Sequence, residues 1–197
     1  MIICIGREYG SGGHEIGARL AENLQLPFYD QELIARVMEK TELFPPAEVE
    51  RVDEKKTNPL LHSVYYGGNE KEFRGLSSND ITFKLQGKVI LEAAKEGGAV
   101  FVGRCADFIL EQAGIEHRSI FICAPFSDRV NRKMKQTGKN EKAVTSQIRR
   151  MDKQRKSYYN YYTGRNWGKP CNYELCINSS VRGIEETPVL LAKRMDR

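Results

Sequence analysis

The sequence predicts an α/β fold in three layers: a parallel five-stranded sheet flanked by helices on both faces. Three observations carry this. Short, continuous apolar runs such as Ile2–Ile5 and Ala99–Val102 are what strands covered on both faces require. Between the runs, apolar residues recur three and four apart, so strands and helices alternate along the chain. No internal repeat or low-complexity tract breaks the alternation.

The first strand, Ile2–Ile5, leads into Gly10, Ser11, Gly12 and Gly13, a turn whose N–H groups are free to converge on an anion. Ile16, Leu20 and Leu24 then repeat every four residues, so a helix opens here and aims the positive end of its dipole at the same place. Gly10 to His14 are therefore a candidate phosphate cradle. They resemble the P-loop without meeting its pattern G-x-x-x-x-G-K-[ST], because Gly13 and His14 stand where Lys and Ser or Thr belong. Leu26–Asp30 is a short second strand ending in a carboxylate. Asp30 lies at the sheet edge where α/β folds bind ligands, or caps the helix expected over Gln31–Lys40; the two roles are compatible.

From Thr41 to Asp80 the periodicity fades, and a loose, partly helical insertion is expected. His62, Tyr65, Tyr66 and Phe73 serve there as packing residues or as contacts to a base. Ser77–Asp80 offers caps for a helix through Glu96, which Gly97 and Gly98 stop. Ala99–Gly103 is the third strand, followed at once by Arg104. Ser119–Ala124 is the fourth, and Pro125 and Ser127 lead into a helix carrying Val130 and Met134. Asn140 caps a further helix with Val144, Ile148 and Met151 on one face and Arg149, Arg150, Lys153, Arg155 and Lys156 on the others. Its continuation to Pro170 is aromatic, basic and punctuated by glycine. Tyr173–Ile177 is the last strand, and a helix falls between Gly183 and Met195, with Pro188 near its start.

Composition narrows the function. The 197 residues suffice for one domain with a good core, and the net charge is +5. The basic residues gather between Arg129 and Lys169, which suits a polyanionic small molecule or nucleic acid. The cysteines form no C-x-x-C pair, and buried, reduced thiols are expected. The apolar start is too short for a signal peptide and no run approaches the roughly 20 residues that span a bilayer, so a cytoplasmic protein with no membrane partner is expected.

In this order the parts resemble a nucleoside monophosphate kinase, most closely the cytidylate kinase-like proteins. Arg7–Gly13 is similar to the variant glycine loop of that group, where the ordinary lysine is also absent. Val102-Gly-Arg104 resembles the Gly-Arg whose arginine holds the acceptor's phosphate; Cys105 replaces the aspartate that follows it there, and Asp107 lies close by. Phe121–Arg132 is similar to the strand, loop and arginine-bearing helix found before the lid. Asp152-x-x-Arg155 keeps the spacing of the lid motif R-x-x-x-D-x-x-R, with Ile148 in the leading position and Arg149 next to it, still within reach on a helix.

The resemblance implies a P-loop NTPase-like domain over 1–197, with an acceptor-binding insertion over 41–80 and a helical lid over 140–170. It implies a kinase using ATP and Mg²⁺. Gly10, Ser11, Gly12, Gly13 and His14 would cradle the ATP phosphates. Asp30, Arg104, Asp107 and Asp152 would face a nucleoside monophosphate, CMP by resemblance alone. Arg7, Arg149 and Arg155 would supply charge.

Phosphoryl transfer needs in-line positioning and positive charge on the oxygens between donor and acceptor. Without the lysine and hydroxyl, three readings stay open. An arginine replaces the lysine, with a carboxylate such as Asp30 helping to hold Mg²⁺; or the loop binds a nucleotide or other phosphate without turning it over. In the third, Tyr158, Tyr159, Tyr161, Tyr162 or Trp167 stacks on single-stranded nucleic acid. The first is the expectation, and nucleic acid is the least expected partner.

Overall fold

The computed structural model describes residues 1–33 and 77–195. The rest of the helix expected after Gln31, and residues 41–76 of the expected insertion, with His62, Tyr65, Tyr66 and Phe73, lie outside the described residues; residues 77–80 instead begin a helix.

The strands are β1 (Ile2–Arg7), β2 (Phe28–Tyr29), β3 (Ala99–Val102), β4 (Arg118–Cys123) and β5 (Leu175–Asn178). They form one parallel sheet in the order β2-β3-β1-β4-β5. The helices are α1 (Gly13–Asn23), α2 (Ser78–Glu96), α3 (Ala106–Gln112), α4 (Phe126–Thr137), α5 (Glu141–Thr163) and α6 (Ser179–Met195).

Alternation within the strands divides the core between the two faces. Ile2, Cys4, Ala99 and Phe101 pack on one side against Ile81, Leu85 and Ile90 of α2 and Leu110 of α3. Ile3, Ile5, Val100, Val102, Ile120 and Ile122 pack on the other against Ile16 and Leu20 of α1 and Leu191 and Met195 of α6. Each such aliphatic side chain contributes about 1.5–3 kcal/mol of transfer free energy, which is why β1, flanked on both edges and both faces, anchors the molecule.

Helix α2 begins with a capping box. The Asp80 N–H donates to Ser77 Oγ at 3.2 Å, and the Ser77 N–H donates back to Asp80 Oδ2 at 3.4 Å. Helix α5 is capped by Asn140, whose Oδ1 accepts from the Ala143 N–H at 2.9 Å, and runs unbroken to Gly164. The first part of the aromatic segment is therefore helical.

The sequence departs from the structure in particular places. Helix α3 carries no periodic signal, being seven residues long. Helix α6 starts at Ser179 and breaks at Gly183 (φ 75°). Pro188 thus falls inside it, where the Thr187 hydroxyl donates to the Gly183 carbonyl at 2.5 Å. All five cysteines are free; Cys4 and Cys105 are buried as expected, but Cys171 and Cys176 are exposed, on the loop before β5 and on that edge strand. Among the described residues, no helix is long and apolar enough to cross a membrane.

Candidate functional site

The chain leaves β1 toward β2 and leaves β3 toward β4, on opposite sides, so a crevice opens between the C-terminal ends of these two neighbouring strands. The glycine turn after β1 and the Gly103-Arg104 turn after β3 both sit there.

In the glycine turn, Gly10 (φ 83°) and Gly12 (φ 81°) take left-handed conformations, and Gly12 caps α1. The carbonyls from Arg7 to Gly12 are each satisfied by the protein. Arg155 Nη1 donates to Arg7 O at 3.1 Å, the Ser11 hydroxyl to Glu8 O at 2.9 Å, and Arg129 Nη1 to Tyr9 O at 3.2 Å. Arg132 Nη1 donates to Gly10 O at 2.7 Å, the Ser179 hydroxyl to Ser11 O at 2.5 Å, and the Ile16 N–H to Gly12 O at 2.9 Å. The turn therefore presents donors rather than acceptors. Together with the helix dipole of α1, this makes an anion site out of backbone alone.

The turn floors a cleft of about 340 Å³. Arg132 and Lys133 of α4, Arg155 of α5, Asp30 and Glu32 line it, as do Glu8 and Glu15, the latter accepting from Gln136 Nε2 at 3.0 Å. Lys133 was not singled out by sequence, because nothing in a helix of alternating charges marks one lysine. It is half-buried, its Nζ 4.7 Å from the Tyr9 ring centroid and 2.9 Å from Gln136 Oε1. Burial, with Glu15 opposing and Arg155 and Arg132 adding to it, holds its ammonium pKa below the usual lysine value.

Arg7 lies between the cleft and a small chamber behind it, lined by Arg104, Cys105, Asp107, Tyr158, Tyr159 and Trp167 among others. Its guanidinium packs on Gly103, where any Cβ would overlap it. Arg104 is 2% exposed, and Gly103, Arg104 and Cys105 are left-handed in succession (φ 83°, 57° and 54°). Two non-glycine residues in that region are unusual, and such conformations cluster at functional sites. Asp107 is buried and accepts from the Tyr159 hydroxyl at 2.8 Å. Burial raises its carboxyl pKa against the lowering effects of that bond and the Phe108 N–H.

The cytidylate kinase-like family matches residues 2–181. The chain belongs to this family. Over 100% of its length and 98% of the other, it is 27% identical to an uncharacterized protein from Eubacterium ventriosum ATCC 27560, with a TM-score of 0.74. Shikimate kinase from Bacteroides thetaiotaomicron (14% identity, TM-score 0.55, 100% and 99% covered) and a gluconokinase from Sinorhizobium meliloti 1021 (14%, 0.51, 98% and 94%) share the fold. No curated protein matches by sequence. The kinase-like family and the kinase fold together support a phosphotransferase.

Within this cytidylate kinase-like chain, the expected residues fall into separate groups. Gly10, Gly12, Gly13, His14, Asp30, Arg7 and Arg155 line the cleft together. Ser11 is buried beneath it. Both oxygens of Asp152 are engaged at the turn, Oδ1 by the Tyr9 N–H at 2.7 Å and Oδ2 by Arg129 at 2.5 Å. Arg149 is exposed, its guanidinium 5.6 Å from the Phe126 ring centroid. Arg104 and Asp107 sit behind the cleft.

The tyrosines of α5 turn mostly inward. Tyr158 and Tyr159 are buried, and the Tyr158 and Tyr162 hydroxyls donate to Gln86 Oε1 at 3.0 Å and Asp80 Oδ1 at 3.2 Å. Trp167 sits edge-on to Phe121. Stacking on nucleic acid would need these faces open, and they are packed; of the candidates, Tyr161 is exposed.

Among the described residues no group of three or more metal-binding side chains occurs. Mg²⁺ in phosphate sites commonly takes one or two carboxylates and fills its remaining positions with water and phosphate. Asp30 fits that need. Burial raises its carboxyl pKa, but bonds from His14 (3.0 Å) and the Leu33 N–H (2.9 Å) outweigh this and hold it below the ordinary value, hence ionised.

Proposed function

We propose that the protein is a cytoplasmic kinase that moves the γ-phosphate of ATP to a nucleoside monophosphate, with CMP the preferred acceptor. The observation that carries this reading is the glycine turn itself, its carbonyls tied back and its helix dipole facing a cleft that Arg7, Arg132, Lys133 and Arg155 line together with Asp30. In this reading Gly10 to His14 bind the ATP phosphates, and Lys133, Arg7 and Arg155 neutralise the charge that develops in transfer. Asp30 holds Mg²⁺ or the acceptor, and Arg104 binds the acceptor's phosphate with Asp107 behind it. The 41–80 stretch completes the acceptor side, the 140–170 stretch covers the cleft, and the whole acts as one domain.

The test is a panel of nucleoside monophosphates and other small hydroxyl acceptors, each assayed with ATP and Mg²⁺. CMP should turn over fastest. Tight ATP binding without turnover of any acceptor would instead support a second reading, a non-catalytic nucleotide binder. That reading is favoured by one feature, the glycine at the lysine position.

A further inference from the structure

The peptide bonds of the glycine turn are all trans, so each carbonyl points opposite to the N–H of the residue that follows it. Whatever holds the carbonyl therefore aims the N–H. Arg129 holds Tyr9 O, which turns the Gly10 N–H the other way; Ser179 holds Ser11 O, which does the same for Gly12. Because Gly10 and Gly12 are glycines at positive φ, the chain's own sterics would not prevent either peptide from flipping. A flipped peptide would put a carbonyl oxygen where a phosphate oxygen should sit.

Arg129 is 6% exposed and is itself held in place. Its Nε donates to Ala124 O at 3.1 Å, and its Nη1 meets Asp152 Oδ2 at 2.5 Å. Asp152 also takes the Tyr9 N–H, so both backbone polar groups of Tyr9 are bound by one ion pair. Ser179 is fully buried, and its hydroxyl lies 2.5 Å from Ser11 O and 3.3 Å from Cys123 O.

We infer that Asp152, Arg129 and Ser179 are positioning residues that hold the Tyr9 and Ser11 carbonyls out of the cleft and so aim the Gly10 and Gly12 N–H groups at the phosphates of a nucleotide. The inference rests on the glycine turn being the phosphate site, as in the proposed function, and assigns Asp152 to the donor side rather than to the acceptor's ribose.

Calorimetry with tripolyphosphate, which contacts only the phosphate site, and with CMP separates these roles in wild type, Asp152→Asn and Ser179→Ala. Each variant should bind tripolyphosphate about ten-fold more weakly, the loss of one oriented donor, and should bind CMP like wild type. Ser179→Ala leaves the ion pair intact, so it decides the matter if Asp152→Asn does not fold, with thermal melting as the check. Unchanged tripolyphosphate affinity in a folded variant overturns the inference, as does a loss of CMP binding alone. So does a wild type that ignores tripolyphosphate. A wild type that binds tripolyphosphate but phosphorylates nothing would remove the kinase reading and leave the variants to decide the positioning role.

Discussion

A Cβ placed on Gly13 would lie 2.5 Å from the Cβ of Arg7 and 3.3 Å from that of Ile122. The position where the P-loop pattern has lysine is thus closed to any side chain, and the stem of Arg7 fills the space. Restoring the lysine alone with Gly13→Lys should fail to raise activity. The clash is with main-chain-proximal atoms that cannot swing aside, and overpacking of this kind costs about 1–3 kcal/mol. Urea denaturation alongside ATP turnover checks both halves; a stable, faster variant would show that Arg7 yields readily.

In the proposed reading Lys133 is one of the cleft cations that replace the missing lysine. Lys133→Ala should lower kcat by about 10²–10³ with little change in stability. The charged form is the useful one, and burial lowers its pKa, so its charge is lost at a lower pH than an ordinary lysine's. Wild-type kcat/KM should therefore decline with rising pH before that of Lys133→Arg does. Coincident alkaline limbs would assign the decline to another group.

How much of this the sequence discloses depends on how local the cause is. The apolar runs of β1, β3 and β4, the Ser77 and Asn140 caps and the glycine turn follow from neighbouring residues, and the structure has them close to where they are expected. Asp30 at the end of β2 is local in the same sense. The partners of the turn are not. Arg129, Asp152 and Ser179 come from 120 to 168 residues away and meet it only because β4, α5 and β5 deliver them there. Motif spacing placed Asp152 and Arg155 on one helix face, but not which of their atoms would be taken by the turn. For the tyrosines, composition could not separate inward from outward faces. Their hydroxyls find Gln86, Asp107 and Asp80, on α2 and α3, only in the folded chain.

Asp107 makes the stability of the protein fall as pH rises. Burial holds its native carboxyl pKa above the ordinary value, so the folded state binds the proton more tightly than the unfolded one. The stabilisation is complete below the unfolded pKa and is lost as pH climbs through the native one. Asp107→Asn keeps an acceptor for the Tyr159 hydroxyl without a charge to bury. Its urea midpoint, compared with wild type from roughly pH 4 upward, should show a gap that widens in the variant's favour. A constant gap would mean that the Asp107 carboxyl has the same pKa in the native and unfolded states.

Arg104 combines a buried side chain with a left-handed backbone, and two substitutions separate these. Arg104→Ala and Arg104→Gly both remove the guanidinium, and each should weaken CMP binding by ten-fold or more, on the order of one charge-assisted hydrogen bond, with ATP affinity preserved. At φ 57° a Cβ is unfavourable, so the glycine variant should be about 1 kcal/mol more stable than the alanine variant. Calorimetry with each nucleotide and melting curves for each variant provide the readouts. Equal loss of CMP and ATP binding would make Arg104 a structural residue of the crevice. An alanine variant as stable as the glycine one would mean that the turn relaxes once the arginine is gone, and that its side chain, not Gly103, imposes the strained conformation.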